Sequence, residues 1–242
     1  MKEKIYTIPI NDAFDMDTEC AICEFEKKEE NEYVEYTLGA SMMEPDARIF
    51  TNERGFCQRH TSMLFNCENK LSLALVLKTH VDDLLKTFDQ VRDMALSDKK
   101  KTSFFSKATD YPADDIAEKI SSRANSCAVC ERLDDIMDKF LSNVLYLYDK
   151  DPDFKTKFLS SKGFCLKHYS LLLKKAKDDL KGETLKDFCV NLSNLQKANF
   201  SRLSEDIDWF TKKFDYRYAN EGWKTSRDAV PRGCNKVGSF VD

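Results

Sequence analysis

The chain has 242 residues, of which 42% are hydrophobic and 33% charged, so wholesale disorder is excluded. Only 7 glycines and 5 prolines favour long helices over a loop-rich β-fold. No apolar run approaches the roughly 18 residues of a membrane span, and the first residues lack a signal peptide's apolar stretch, so we expect a cytoplasmic protein without membrane association. The net charge of −4 divides into −7 over residues 1–100 (13 basic, 20 acidic) and +3 over residues 101–242 (25 basic, 22 acidic), which argues against nucleic-acid binding.

Apolar residues recur at helical spacing through most of the chain. Residues 64–95 carry an apolar residue every three or four positions and contain neither Gly nor Pro, which predicts one long helix. Residues 133–147 and 188–214 show the same period. Glu44-Pro45 and Asp151-Pro152 each predict the end of one helix and the start of a short one. The predicted class is all-α.

Two segments without this pattern divide the chain. Residues 99–111 are polar and uneven, which predicts a linker, and residues 218–242 predict an irregular C-terminal tail. We therefore predict a first helical repeat over residues 1–98 and a second over residues 112–217, packed together as one bundle of pseudo-repeated hairpins.

A cysteine and histidine motif occurs twice. The two copies are Cys20-Ala-Ile-Cys23 with Gly55-Phe-Cys57-Gln-Arg-His60, and Cys127-Ala-Val-Cys130 with Gly163-Phe-Cys165-Leu-Lys-His168. Within the copies, 33 and 34 residues separate the Cys-x-x-Cys pair from the next cysteine, and the offset between copies is 107 or 108 residues. A shuffled chain with these nine cysteines and three histidines would hold about a tenth of one Cys-x-x-His, and two are present. The repeat therefore marks eight residues as a functional set.

Three thiols and one imidazole per copy are the ligand set of a closed, tetrahedral zinc site. Cys and His three positions apart at a helix start project from one face, and the preceding glycine permits the tight turn that brings the backbone near a metal. We predict two zinc ions per chain, one within each repeat. The predicted ligands are Cys20, Cys23, Cys57 and His60 in the first repeat, and Cys127, Cys130, Cys165 and His168 in the second.

Other chemistry for the same residues stays open at this point. Spacing alone does not separate zinc from an iron–sulfur cluster, and a Cys-x-x-Cys pair can also be a redox dithiol, although the usual βαβ context is missing. Outside the repeat, we expect Cys67 and Cys189 to pack as small buried residues, His80 to be a packing or surface residue, and Cys234 to be a free thiol. No known nucleophile, phosphate-binding or metalloprotease motif is present, so no catalytic or further cofactor-binding residue is predicted.

The C-terminal part combines aromatic residues with arginines, the side chains favoured at interface hot spots. We expect Phe214 to Arg217 to complete the core, and residues beyond Gly222 to face outward toward a protein partner. The acidic face of the first repeat is a second candidate surface. The candidate tail residues are Trp209, Phe214, Tyr216, Arg217, Trp223 and Arg227.

The paired Cys-x-x-Cys and Gly-Phe-Cys-x-x-His segments, with the Lys-Phe-Asp-Tyr-Arg stretch and a later Trp and Arg-Asp-Ala, resemble a bacterial family found mainly in Firmicutes, domain of unknown function 6062. The resemblance spans Cys20 to about Arg232. It implies a cytosolic protein folded as one unit, and it brings no activity with it. From the residues we expect a metal-stabilised helical scaffold or interaction protein without catalysis; the alternatives are a redox or iron–sulfur protein and then a small-molecule enzyme. The sequence predicts no oligomeric state.

Overall fold

The computed structural model describes residues 4–96 and 112–238. Within these ranges the chain is helical and contains no strand, which confirms the predicted all-α class. The predicted linker, residues 99–111, lies outside the described residues. The α-helices are α1 (Lys4–Asp15), α2 (Ala21–Leu38), α3 (Pro45–Arg54), α4 (Gln58–Asn66), α5 (Lys70–Leu96), α6 (Ala113–Ala124), α7 (Ala128–Lys150), α8 (Pro152–Ser160), α9 (Leu166–Asp179), α10 (Gly182–Lys212) and α11 (Ala229–Val237), with short 3-10 helices at Ala40–Met43 and Tyr216–Tyr218. None of the described helices is long and apolar enough to span a lipid bilayer.

The helices divide between two compact units, each assembled from both sequence repeats. Unit 1 contains residues 1–28 and 135–242, and unit 2 contains residues 29–134. Helices α2 and α7 each contribute residues to both units. Each predicted range, 1–98 or 112–217, covers one repeat, whereas each compact unit contains parts of both repeats.

Aromatic rings form much of the core of unit 1. The ring centroid of Phe158 lies 5.3 Å from that of Tyr148, 5.2 Å from that of Phe164 and 5.8 Å from that of Phe188. All four side chains are at most 1% exposed. Since Phe164 directly precedes Cys165, its burial anchors the Gly-Phe-Cys turn to the hydrophobic core.

Aliphatic side chains dominate the core of unit 2. The partly buried Phe56, which corresponds to Phe164 in the repeat, packs against this core just before Cys57. Both units therefore use a phenylalanine to attach the Gly-Phe-Cys turn to apolar packing. The buried residues of this hydrophobic core are Val34, Leu38, Leu64, Leu73, Cys127 and Val129.

The prediction of one long helix over residues 64–95 is wrong in two respects. The chain breaks between α4 and α5 at residues 67–69. Leu71 and Val81, which lie on the apolar period that predicts the buried face, are 73% and 48% exposed, while Leu73 and Val76 are buried. Because residues 67–69 are not helical, the apolar period of α4 does not continue in phase into α5. The continuous period therefore predicts the wrong face of α5 as buried.

Both Pro-led short helices begin where the sequence predicts, at Pro45 and Pro152. The Asp151 carboxylate caps α8 by accepting hydrogen bonds from the backbone N–H groups of Asp153 and Phe154, at 3.0 and 3.1 Å. The capped proline start fixes where the long helix α7 stops and the chain turns back.

The C-terminal segment differs from the prediction. Residues 229–237 form helix α11 instead of irregular chain. Phe214 and Tyr216, expected in the core, are 75% and 88% exposed, whereas Trp223 is half-buried with its ring centroid 5.7 Å from that of Phe210. The reason is that α11 packs against α10 and α9, while the 3-10 turn after α10 leads Phe214 and Tyr216 outward. Arg217 and Arg227 are exposed, and Trp209 is half-buried.

We predict that Gly163→Ala costs about 1–3 kcal/mol of unfolding free energy, because Gly163 has φ of 73° and an added Cβ would lie 3.0 Å from Gln196 Oε1. Gly222→Ala is the matched control, since a Cβ there meets nothing within 4 Å. Denaturant unfolding of the two metal-loaded variants measures the difference; equal stabilities would contradict the constraint at Gly163.

Candidate metal centres

The eight repeated residues form two compact clusters. In the unit 1 cluster, Cys20, Cys23, Cys165 and His168 lie with their ligand atoms all within 4.8 Å of one another. In the unit 2 cluster, the same holds for Cys57, His60, Cys127 and Cys130. Each cluster contains three cysteine sulfurs and one imidazole nitrogen, as the sequence predicts.

The pairing of the motifs corrects the prediction. Each cluster joins the Cys-x-x-Cys pair of one repeat to the Cys-x-x-His of the other. The prediction of pairing within repeats, with Cys20, Cys23, Cys57 and His60 in one site and Cys127, Cys130, Cys165 and His168 in the other, is therefore wrong. Helix lengths explain the exchange. The 18 residues of α2 rise about 27 Å, and the 10 residues of α3 return only about 15 Å. The 23 residues of α7 rise about 35 Å against about 14 Å for the 9 residues of α8. In each repeat the second helix is thus much shorter than the long helix before it, which fits the meeting of ligands from different repeats.

The interatomic distances fit one tetrahedral ion per cluster. Around such an ion, with bonds of about 2.3 Å to sulfur and 2.0–2.1 Å to nitrogen, two sulfurs lie about 3.8 Å apart, and a sulfur and a nitrogen about 3.6 Å apart. The sulfurs of Cys23 and Cys165 are separated by 3.6 Å, and those of Cys57 and Cys130 by 3.9 Å. The sulfur-to-Nδ1 distances run from 3.2 to 3.5 Å in the two clusters. The residues therefore fit a four-coordinate metal.

Helix N-termini converge on each cluster. Cys165 and Cys57 are the N-cap residues of α9 and α4, and Cys20 and Cys127 stand one residue before α2 and α7. The Cys165 sulfur also accepts a hydrogen bond from the backbone N–H of His168 at 3.5 Å. Since a helix N-terminus carries partial positive charge, two of them per cluster stabilise thiolates.

Each histidine directs Nδ1 at the sulfurs and Nε2 at a carboxylate. His60 Nε2 lies 2.9 Å from Glu30, and His168 Nε2 lies 3.2 Å from Glu26. A carboxylate on the outer nitrogen fixes the tautomer and makes the inner nitrogen a better metal ligand. Both carboxylates come from α2, and neither belongs to the repeated motif.

The basic residue before each histidine completes this arrangement. Arg59 contacts Glu30, and Lys167 contacts Glu26, each at 2.5 Å. Burial raises the pKa of both carboxyls, but the adjacent histidine and basic side chain outweigh it and lower the pKa of each. The sequence signal, a basic residue in Cys-x-(Arg/Lys)-His, was visible, but the position of its acidic partner was not.

Electrostatics in the unit 2 cluster favour a cation. Burial lowers the pKa of His60, but hydrogen bonds with Cys127 and Glu30 outweigh it and raise the pKa to about 10. Burial raises the pKa of Cys127, yet the bond with His60 prevails and lowers it to about 6. Burial and the Cys127 charge raise the pKa of Cys130 to about 12. One thiolate forms beside an imidazolium, and further thiolates require a bound cation.

In the unit 1 cluster, whose four residues are all buried, the same kinds of interaction shift the pKa values. Burial lowers the pKa of His168, but hydrogen bonds with Cys165 and Cys20 outweigh it and raise the pKa to about 11. Hydrogen bonds with Cys20 and Cys23 lower the pKa of Cys165, while the bond to Cys165 raises the pKa of Cys23. Three adjacent thiolates again need positive charge between them.

Helices α10 and α11 hold the turns of the unit 1 cluster in place. The Gln196 side chain accepts a hydrogen bond from Phe164 N at 3.0 Å and donates one to Phe164 O at 2.6 Å. The fully buried Lys236 ammonium donates to the carbonyls of Glu19, at 2.5 Å, and of Lys162. One side chain thus ties the segment before Cys20 to the segment before the Gly-Phe-Cys turn.

The remaining cysteines and the third histidine stay outside both clusters. Cys67, Cys189 and Cys234 are half-buried. His80 is half-buried, with its Nδ1 2.8 Å from the carbonyl oxygen of Asn52, and its ring would lie 2.6 Å from a Cβ added at Gly55. His80 is therefore a packing residue, and it explains why glycine is required before the first Cys-x-x-His turn, at Gly55.

Sequence comparison places the protein in a family. The profile described as "Family of unknown function (DUF6062)" matches residues 1–242. The chain belongs to this family. Neither a curated protein nor a solved structure gives a significant match.

The crossed pairing predicts how metal content responds to double substitutions. Cys20→Ser with Cys165→Ser removes ligands from one cluster, so zinc-loaded protein should lose about one equivalent. Cys20→Ser with Cys57→Ser damages both clusters and should lose about two. Elemental analysis after dialysis distinguishes the cases, with Cys67→Ala retaining all its metal. A loss of about two equivalents from the first double variant and about one from the second would instead show that the ligands pair within each repeat.

We predict that Glu30→Ala weakens zinc binding at the unit 2 cluster by about 10- to 100-fold, because the variant removes the carboxylate that orients His60. Glu24→Ala is the matched control on the same helix, since Glu24 accepts a hydrogen bond from Thr18. Competition with a zinc chelator measures both affinities. A Glu30→Ala protein that binds as tightly as the control would contradict the positioning role.

Proposed function

We propose that this chain is a metal-stabilised helical scaffold or interaction protein without catalysis, holding one zinc ion in each unit. The observation that carries the proposal is the tetrahedral spacing of three sulfurs and one nitrogen in each cluster, all within 4.8 Å. Four protein ligands close the coordination sphere of zinc and leave no position for water or substrate, which is the pattern of structural sites.

The spacing also supports a single ion over an iron–sulfur cluster, the alternative that uses the same residues. A cluster places several irons and sulfides between its cysteine ligands, which spreads the ligand sulfurs beyond the edge of one tetrahedron. The sulfur separations of 3.6 Å between Cys23 and Cys165 and 3.9 Å between Cys57 and Cys130 match the edge of a tetrahedron around one ion. Among single ions, zinc is the usual partner of three cysteines and one histidine.

A structural role suits the position of the clusters. Each joins the N-terminal ends of two helices that are far apart in sequence, α2 with α9 and α4 with α7. Because the ligands come together only in the folded chain, the free energy of metal binding becomes folding free energy. A reducing cytoplasm, the location we propose, would keep the six ligand thiols available for metal.

An interaction role requires an outward-facing surface. Phe214 and Tyr216, 75% and 88% exposed, are large aromatic side chains of the kind that anchors protein interfaces. Arg217 lies beside them and pairs with Asp215 at 2.6 Å. We propose this exposed turn after α10 as the site at which a protein partner binds, in place of the residues beyond Gly222.

Anaerobic purification followed by elemental analysis tests the proposal. We expect a colourless protein with about two zinc ions per chain, retained on dialysis, and tetrahedral thiolate absorption after exchange for cobalt(II). Removing metal with a chelator should unfold the protein. Iron with acid-labile sulfide would favour the iron–sulfur alternative, and a folded chain without metal that cycles between dithiol and disulfide would favour the redox one.

A further inference from the structure

The two clusters differ in how far their sulfurs are from solvent. In the unit 1 cluster, Cys20, Cys23 and Cys165 are 3%, 8% and 3% exposed. In the unit 2 cluster, Cys57 and Cys130 are half-buried. Because a thiolate must be reached before it can react, the clusters are chemically unequal even though their ligand sets are the same.

Distance between sulfurs does not separate the clusters. The 3.9 Å between Cys57 and Cys130 is close enough for a disulfide after a small movement, but Cys23 and Cys165 are as near at 3.6 Å. Accessibility therefore decides which pair reacts. Cys127, the third sulfur of the unit 2 cluster, is only 5% exposed and lies 3.2 Å from the His60 ring.

Neighbouring charges act in the same direction. In unit 1, the Lys236 side chain is fully buried, with its Nζ 2.5 Å from the carbonyl oxygen of Glu19, the residue before Cys20, so the charged group beside that cysteine is away from water. In unit 2, the residue after Cys130 is Glu131, which pairs with Arg54, and these side chains are 46% and 40% exposed to water. Solvent thus reaches the charged groups beside Cys130.

We propose that Cys57 and Cys130 are an oxidation-sensitive pair, modified by a peroxide while the unit 1 cluster stays reduced. Two thiolates, one hydrogen peroxide and two protons give one disulfide and two waters. The sulfur–sulfur bond forms as the oxygen–oxygen bond breaks, and the sulfurs lose the two electrons that the peroxide gains. The inference rests on the proposed zinc site, which keeps the thiols deprotonated.

Oxidation removes two of the four ligands of unit 2 at once. A site left with Cys127 and His60 cannot hold zinc as a closed site does, so its ion leaves. The unit 1 cluster retains its ion because its sulfurs do not meet the oxidant. The expected product is a chain with about one zinc ion and one disulfide.

The test uses the full zinc-loaded chain in a background where Cys67, Cys189 and Cys234, which lie outside both clusters, are replaced by Ser. The protein receives up to one equivalent of hydrogen peroxide. A chelating dye follows zinc release, and non-reducing peptide mapping locates the disulfide. We expect release of about one equivalent, a Cys57–Cys130 disulfide and intact thiols at Cys20, Cys23 and Cys165.

Equal oxidation of both clusters, or a first disulfide in the unit 1 cluster, would overturn the inference. A chain that binds no metal would instead refute the proposed function. Peroxide mapping of that metal-free chain then decides the inference separately: a first disulfide between Cys57 and Cys130 supports it, and any other first disulfide overturns it.

Discussion

The gathering of three thiols and one imidazole into a space of 4.8 Å is the constraint on which the rest of the molecule depends. Three thiolates at this separation would repel one another, and the same structural features reduce or accommodate this repulsion in each unit. Two helix N-termini approach the sulfurs, and a glycine turn lets the backbone come near. A phenylalanine, buried in unit 1 and partly buried in unit 2, ties that turn to the core. Protonation of the sulfurs or a cation between them would remove the remaining repulsion.

Because each cluster joins motifs from different repeats, its contacts close longer loops and restrict the unfolded chain more strongly. A site within one repeat would join Cys20 to Cys57, 37 positions on, whereas Cys20 meets His168, 148 positions away. The entropy of closing a loop grows by about 0.6 kcal/mol for each doubling of length, so this fourfold increase adds about 1.2 kcal/mol to the constraint on the unfolded state. Unit 1 consequently depends on residues from both ends of the sequence, whereas unit 2 is complete at residue 134.

Sequence alone identified the eight clustered residues, because histidine and cysteine at fixed repeated positions are hard to explain by packing. It did not identify the partners of each cluster, since equal spacing in both copies is compatible with pairing within or between repeats. Glu26 and Glu30 had no repeated counterpart to single them out; 107 positions later stand Leu133 and Met137. The face of α5 was misassigned because the break at residues 67–69 contains neither Gly nor Pro.

The two orienting carboxylates stand four residues apart on α2, so one helix serves both histidines. Each residue of an α-helix turns the chain by about 100°. A single insertion or deletion between Glu26 and Glu30 would therefore rotate one carboxylate away from its histidine while the other stayed in place. The number of residues between these two glutamates is therefore a constraint of its own on this turn of helix, whereas the residues between them are free of it.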